Sequence, residues 1–464
     1  MIEQRPNVLL IVVHDLGTRL RCYGHGAVHS PNLDQLASEG VRFERHFATA
    51  TYCSPSRGSI ITGKYPHANG LMGLVNLGWD WDAANTTLAM ALGEAGYETF
   101  LFGVQHETRD GRVDELGFQH VSDRTVKRCD DVGSLIDGFL AARHGRLDRP
   151  FYARVGFTEV HRSFDSYKPE DPAKVSLPGY VANTPGARED FAQYDGAIRR
   201  MDAAVGRILT ALDKADLRDN TLAVFTTDHG SPMVRAKGTL YDAGINTALL
   251  MRWPGGFDGG QVRSELVSNV DLFPTVLGTA GVDAPAHIDG RSFLPLLQGR
   301  PYGPREVVFA GKNTVPGDTK RCVRSARFKY IRNHSPGPEL IIPDSEISLT
   351  RRDIGNDHLR PRPEVELYDL DADPDERVNL AGQAEFAAVE RELAGRLRTI
   401  QEQTRDPRLD GPVPRPPGER ERLDRAYDTM FQRCPFPRDG LACAYYEQQM
   451  RDWTFAEPRV TYCR

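Results

Sequence analysis

No stretch of this sequence is apolar for long enough to cross a bilayer. The longest run near the start, Val8 to Val13 in NVLLIVVHD, covers six residues, where a membrane helix needs about twenty. It also lacks the basic flank and cleavage site of a signal peptide, so a cytoplasmic protein without a membrane partner is expected. Paired cysteines are missing too. The seven cysteines, at 22, 53, 129, 322, 434, 443 and 463, form no CxxC pair, which implies no disulfide frame and fits a reduced compartment. An excess of positive charge is absent: 58 Lys and Arg face 64 Asp and Glu, a formal −6. That balance gives no general attraction to nucleic acid or anionic lipid, so an anionic substrate must be held by a local group of cations. What remains is a 464-residue chain, 40% hydrophobic and 26% charged, with length for more than one core. Homo-oligomer formation is compatible with this composition.

The first three hundred residues alternate strand-like and helix-like runs, the pattern of a largely parallel sheet covered on both faces. Strands are expected at 8–13, 98–103, 151–157, 221–228 and 248–253. Ser30-Pro31 opens a helix that Gly40 closes, and Thr87 to Glu94 is another. From Arg188 to Lys214 the residues Phe191, Tyr194, Ile198, Met201, Val205, Ile208 and Leu212 step by three or four, a buried stripe assigned to packing. After about residue 305 the short strands VVFAG, RCVRSARFKYIRN and ELYDL precede a helix carrying Phe386, Val389, Leu393, Leu397 and Ile400, which reads as a smaller antiparallel sheet with one helix. The expectation is an α/β protein: a large sandwich domain with a mostly parallel mixed sheet over 1–305, a small α+β domain over 306–405, and a Pro- and Arg-rich extension over 406–464 wrapping the surface.

Polar groups fall where strands end. His14-Asp15 follow the first strand, His161 the one at 151, and Asp228-His229 the one at 221. The crevice beyond the carboxyl ends of strands is where ligands bind in open α/β sheets, so these groups are expected to converge. Carboxylates and imidazoles so gathered suit a divalent cation, oxygen favouring Ca²⁺ or Mg²⁺ and each nitrogen shifting preference toward Mn²⁺ or Zn²⁺. In TYCSPSRGSIITGK, residues 51–64, Ser54 and Pro55 read as cap and first residue of a short helix over Ser56–Thr62. Cys53 then lies beside its positive end, with Arg57 able to reach back toward an oxyanion. Either a low-pKa thiolate or a chemically converted cysteine would use that setting. Isolated histidines such as His25, His46, His67 and His120 read as structural, and Trp79 and Trp81 as either packing or a sugar-stacking wall.

C-S-P-S-R followed by apolar residues and T-G resembles the signature of the type I sulfatases of the alkaline phosphatase superfamily. NVLLIVVHDLG, SPNLDQLASEGVRF, AGYETFLFG, DNTLAVFTTDHG, KGTLYDAGI and ELYDLDADPDERVNLA fall in the family's order. CSPSRGSIITGKYPHANGLMGL, His161-Arg162 and NTPGAREDFAQYDGAIRRMDAAVGRIL look closest to the heparan N-sulfatases, or sulfamidases. The resemblance implies that a formylglycine-generating maturase acting on CSPSR oxidises Cys53. The hydrated aldehyde would then offer one hydroxyl to attack sulfur and a second whose deprotonation expels sulfate. It implies one divalent metal, Ca²⁺ first with Mg²⁺ or Mn²⁺ as alternatives. Asp15, Asp228 and His229 match metal ligands, and His14 and residue 53 complete the set. It further implies that Arg57 holds the diol, that His106 stands near it, that His161 stands near the leaving-group oxygen, and that Lys237 bridges substrate and leaving group. Two positions depart from the family: His14 stands where an aspartate is usual, and Val104 where a sulfate-binding lysine is usual, leaving Lys312 or Arg235 as candidates for that space. The expected activity is hydrolysis of a sulfate ester or sulfamate, on a sulfated small molecule or a saccharide by preference. A phosphomonoester, phosphodiester or phosphonate monoester hydrolase and a non-catalytic sulfated-glycan binder are the alternatives.

Overall fold

The computed structural model describes residues 5–144, 149–313, 318–335, 338–340, 345, 347–354, 358 and 360–432. The expected surface extension is therefore described only as far as residue 432.

Near-continuous apolar runs such as NVLLIVV can be buried on both sides only in the middle of a covered sheet. That is where Asn7–Val13 (β1) lies. The large sheet runs His120–Val121 (β5), Glu98–Gly103 (β4), Phe151–Gly156 (β6), β1, Thr221–Thr227 (β7), Leu249–Arg252 (β8), Val41–Phe43 (β2) and Gln261–Arg263 (β9). β5, β4, β6, β1 and β7 pair in parallel, and β8 alone runs against its neighbours. A two-stranded piece, His46–Phe47 (β3) with Val267–Ser268 (β10), sits beside it.

Side chains alternate across β1. Leu9, Ile11 and Val13 face the long helix Pro185–Lys214 and the helix Cys129–Ala141, while Val8, Leu10 and Val12 face the helices Cys53–Thr62, Leu88–Glu94 and Leu272–Thr279. The long helix begins earlier than its apolar stripe predicts, because Thr184 caps it by accepting the Ala187 N–H and Pro185 takes the first helical position.

The C-terminal sheet is a meander of Val307–Lys312 (β11), Lys320–Ser325 (β12), Phe328–Asn333 (β13) and Val365–Asp369 (β14), antiparallel throughout. The period of two divides its faces. Phe309, Val323, Tyr330 and Leu367 meet Leu393 and Leu397 of the helix Ala387–Gln403, and Val308, Ala310, Cys322 and Ile331 meet Phe47, Leu240, Tyr241 and Ile245 of the large domain. That second face brings the small sheet beside the chemistry. Gly311 bridges Ala50, and Lys312 Nζ donates to the Gly238 carbonyl at 2.5 Å. Part of the 406–432 segment is buried: Trp79 Nε1 donates to Glu419 at 2.7 Å beneath the Arg415 guanidinium. The tryptophans are thus packing, since Trp79 and Trp81 both lie in an apolar cluster with Val413 and Leu423.

Candidate active site

Register places the first two polar pairs together. Val13 is opposite Thr227, so His14 and Asp228 leave the sheet side by side, with the Asp228 N–H on the Val13 carbonyl at 3.3 Å. Asp15 then turns with φ +55, a left-handed conformation that costs a non-glycine residue about 1 kcal/mol or more. Its N–H donates to Asp228 Oδ1 at 2.9 Å, and Tyr194 Oη donates to its carbonyl at 2.7 Å. Tyr194, assigned to packing by its stripe, therefore also secures the strained turn.

The helix carrying Cys53 corrects the sequence expectation. It spans Cys53–Thr62, with Tyr52 as N-cap and no side-chain cap. Pro55 is tolerated inside the first turn because its missing N–H has no intrahelical acceptor there. Ser54 Oγ accepts the Val75 N–H at 3.2 Å instead of capping. Cys53 remains at the helix's positive end, and every residue of the helix is buried.

Ligand atoms of His14, Asp15, Cys53 and Asp228 lie within 4.8 Å of one another. Cys53 Sγ is 3.4 Å from His229 Nε2 and 3.9 Å from Asp15 Oδ1. His229, the fifth expected ligand, stands outside that group of four, its Nε2 3.2 Å from Asp15 Oδ1 and 3.6 Å from Asp228 Oδ1. Its Nδ1 faces the Gly230 carbonyl at 3.0 Å. A carbonyl only accepts, so Nδ1 carries the proton and the Nε2 lone pair faces the cluster. His14 Nδ1 is 3.0 Å from Asp228 Oδ2, yet it has no partner in hydrogen-bond geometry. Two ligand atoms aimed at a common third point look like this, and the donor set fits a divalent cation.

On the far side of Asp15, Lys237 Nζ bonds Asp15 Oδ2 at 2.8 Å and approaches His161 Nε2 at 3.2 Å. His161 Nδ1 faces the Arg162 carbonyl at 2.6 Å, so Nδ1 carries the proton and Nε2 accepts from Lys237 Nζ. The His161 side chain is 35% exposed while those of Asp15 and Asp228 are fully buried, so the site opens on the His161 side. Arg57 donates through Nε to Asp228 Oδ2 at 2.9 Å and through Nη2 to the Val13 carbonyl at 3.1 Å. Its Nη1 is buried without a partner. His106 packs edge-on to His14, with ring centroids 6.1 Å apart.

Charge states follow from burial and neighbours. Burial takes His14 down to about 3, helped by Arg57, so its ring is neutral and its lone pair is available. Burial and Arg57 likewise take His106 down to about 4. Burial alone would raise Asp228, but the buried Arg57 guanidinium bonded to it helps hold the carboxyl well below its usual range. Burial pushes the Cys53 thiol well up, with Asp228 and Asp15 adding to Lys237-opposed repulsion. Desolvation next to two carboxylates works against a low-pKa thiolate here, which favours the converted-cysteine reading.

The residues proposed for the space of Val104 are engaged elsewhere. Lys312 is paired with Asp318 and the Gly238 carbonyl; Arg235 donates to the Glu376 carbonyl and covers the Tyr241 ring. Sequence reasoning missed Gln105, Glu107 and Arg154, which are buried under the His106 turn. The available signal was an arginine inside the otherwise apolar strand FYARVGF.

Residues 6–282 match the sulfatase family model, and residues 233–336 match the N-sulphoglucosamine sulphohydrolase C-terminal model. The chain belongs to the sulfatase family. Human N-sulphoglucosamine sulphohydrolase is 30% identical over 488 residues, covering 89% of this chain and 93% of that protein. An ulvan-active sulfatase of Formosa agariphila is 27% identical, covering 83% of this chain and 73% of its own. The fold is shared with a structure in complex with its substrate D-glucosamine-2-N,6-O-disulfate, at TM-score 0.66 and 22% identity over 87% of this chain and 98% of that one. It is shared also with a phosphonate monoester hydrolase from Silicibacter pomeroyi, at TM-score 0.68 and 21% identity over 86% and 96%. Family membership brings with it a divalent metal and a formylglycine modification. Among the described residues, no helix is long and apolar enough to cross a membrane.

Proposed function

We propose that the protein removes sulfate from an N- or O-sulfated saccharide, using residue 53 after its conversion from cysteine to formylglycine by a maturase acting on CSPSR. The observation that carries this reading is the position of Cys53: at a helix N-terminus, 3.9 Å from Asp15 Oδ1 and 3.4 Å from His229 Nε2. The human relative named for a sulfamate sugar and the solved complex with a doubly sulfated glucosamine support the substrate class.

His14, Asp15, Asp228 and His229 would hold the cation together with residue 53. When bound, it would supply positive charge that acidifies the nucleophile and stabilises charge on sulfate oxygens. The helix N-terminus and Arg57 Nη1 offer N–H donors to an anion. Lys237 Nζ carries protons and His161 Nε2 accepts one, so this 3.2 Å pair would place a proton on the departing oxygen or nitrogen. The resemblance favours Ca²⁺. The donors favour Mn²⁺: two imidazole nitrogens face the cluster, and Lys237 and Arg57 occupy one oxygen of each carboxylate, leaving fewer oxygens than the roughly six to eight that Ca²⁺ takes. The proposed division of labour is 1–305 for the site, 306–405 as its closing wall and 406–464 as an extension.

A screen of desulfation on defined N- and O-sulfated saccharides, with residue 53 confirmed as aldehyde by mass, tests this reading. The second reading, a phosphonate or phosphate monoester hydrolase, is favoured by the phosphonate hydrolase fold neighbours. Faster turnover of aryl phosphonate or phosphate than of every sulfated substrate would establish it instead.

A further inference from the structure

Three side chains that the sulfatase chemistry does not employ are buried beneath the His106 turn: Gln105, Glu107 and Arg154, at 6%, 2% and 1% exposure. Arg154 stands in β6, in register with Leu10 and Leu101, and so projects from the Leu10 face, the face covered by the Arg57 helix. Its guanidinium lies beneath residue 104: a Cβ on Gly156 would be 3.4 Å from Arg154 Nη1 and 2.1 Å from the Val104 carbonyl oxygen. Arg154 Nη2 donates to Glu107 Oε1, while Nη1 is buried without a partner. The other Glu107 oxygen accepts the His106 N–H at 2.7 Å. Gln105 closes the turn, its Oε1 accepting the N–H groups of Glu107 and Thr108 at 2.8 and 2.9 Å and its Nε2 donating to the Thr108 carbonyl at 2.8 Å. Glu107 also interacts electrostatically with Arg57, the residue bonded to Asp228. One carboxylate thus serves two guanidinium groups and one peptide. A buried ion pair is no better for stability than well-packed apolar side chains, so its presence in an apolar strand calls for another use.

We propose that Glu107, anchored by Arg154, is a positioning residue: it fixes the His106 peptide so that the ring stays edge-on to His14. The inference rests on the reading of His106 as a group that works on the sulfate. The test uses full-length enzyme with residue 53 converted and a cation bound, assayed on an aryl sulfate. Replacing both members (Glu107→Leu with Arg154→Leu) leaves no lone buried charge, and is expected to keep the melting temperature and metal content while kcat falls by about tenfold to a hundredfold with KM within about threefold. Glu107→Gln with Arg154→Leu restores an acceptor for the His106 N–H and is expected to recover much of that loss. A double-leucine enzyme within about twofold of the parent, or a glutamine variant no better than it, overturns the proposal. Should the double-leucine protein not fold, Arg154→Lys must retain kcat and Glu107→Asp, with its carboxylate drawn back, must lose it; the reverse order overturns it equally. The ¹⁵N signals of the His106 ring, assigned with His106→Gln, report position without turnover: they move in the double-leucine variant and return in the glutamine one. Unmoved signals sink the positioning role. Signals that move in the double-leucine variant of an enzyme inactive toward sulfates and phosphates alike would sink the sulfatase reading while leaving the placement of the His106 ring by Glu107 standing.

Discussion

Two of the buried charge clusters in this molecule are built differently. Arg321 of β12 and Asp406, just beyond the helix Ala387–Gln403, are each 1% exposed and meet in a two-bond fork, Nε to Oδ2 at 2.6 Å and Nη2 to Oδ1 at 2.8 Å. Gln401 Nε2 and the Arg408 N–H fill the remaining positions on the carboxylate. At the ends of β1 and β7, by contrast, His14 Nδ1, Arg57 Nη1 and His106 Nδ1 are buried with no partner. Burial of charge alone therefore does not mark a site. What marks it is buried polarity left open, at strand ends, from residues far apart in sequence.

The sharpest break in this comparison is Cys53→Ala, which should abolish turnover, a loss of about a thousandfold or more, while the folded protein survives; an aryl sulfate assay beside a melting curve checks both. Asp406→Asn should do the opposite. It leaves Arg321 buried and half-paired, costing about 3–5 kcal/mol in denaturant unfolding, while kcat per folded molecule stays the same. Next comes the cation itself. Stripping with a chelator and adding back Mn²⁺ at a hundredfold over its Kd should stabilise the protein by about 2.7 kcal/mol, with a smaller gain from Ca²⁺; equal shifts from both ions would remove the preference argued from the imidazoles.

A weaker effect tests a third group. Burial, with Asp242 beside it, pushes Glu376 up to about 7 although Lys329 opposes the shift. Its folded value lies above its unfolded one, so the folded protein binds the extra proton between them. That stabilisation is present below about pH 4.5 and is lost as pH rises through about 7. Melting temperature should therefore decline across this window, and Glu376→Gln should flatten the decline. Smallest of all, Thr184→Ala removes the N-cap of the long helix and should cost about 1 kcal/mol, with activity unchanged.

Much of this was legible because the large strands carry long unbroken apolar runs. NVLLIVV, ETFLFG and TLAVFTT gave β1, β4 and β7, and the polar dipeptides after β1 and β7 gave the candidate ligands that converge. The two- and three-residue strands β2, β3, β5, β9 and β10 are too short to show a period. Nothing in ALLMRW reveals that β8 runs antiparallel, since direction is set by the connection and not by composition. The helix start was misplaced by three residues because Ser-Pro reads as cap and first turn, whereas Ser54 is spent on Val75. Glu107 and Arg154 went unread because nothing in the sequence joins the arginine of FYARVGF to a glutamate 47 positions earlier until the fold pairs them.

The helix Cys53–Thr62 is buried along its whole length, and under the proposed conversion of residue 53 this would fix an order of events in the protein's biogenesis. A maturase that must grip CSPSR could do so only on a nascent or unfolded chain. Molecules that close before meeting it would stay permanently unconverted, so a recombinant preparation would hold two populations in proportions set by the host and beyond adjustment after purification.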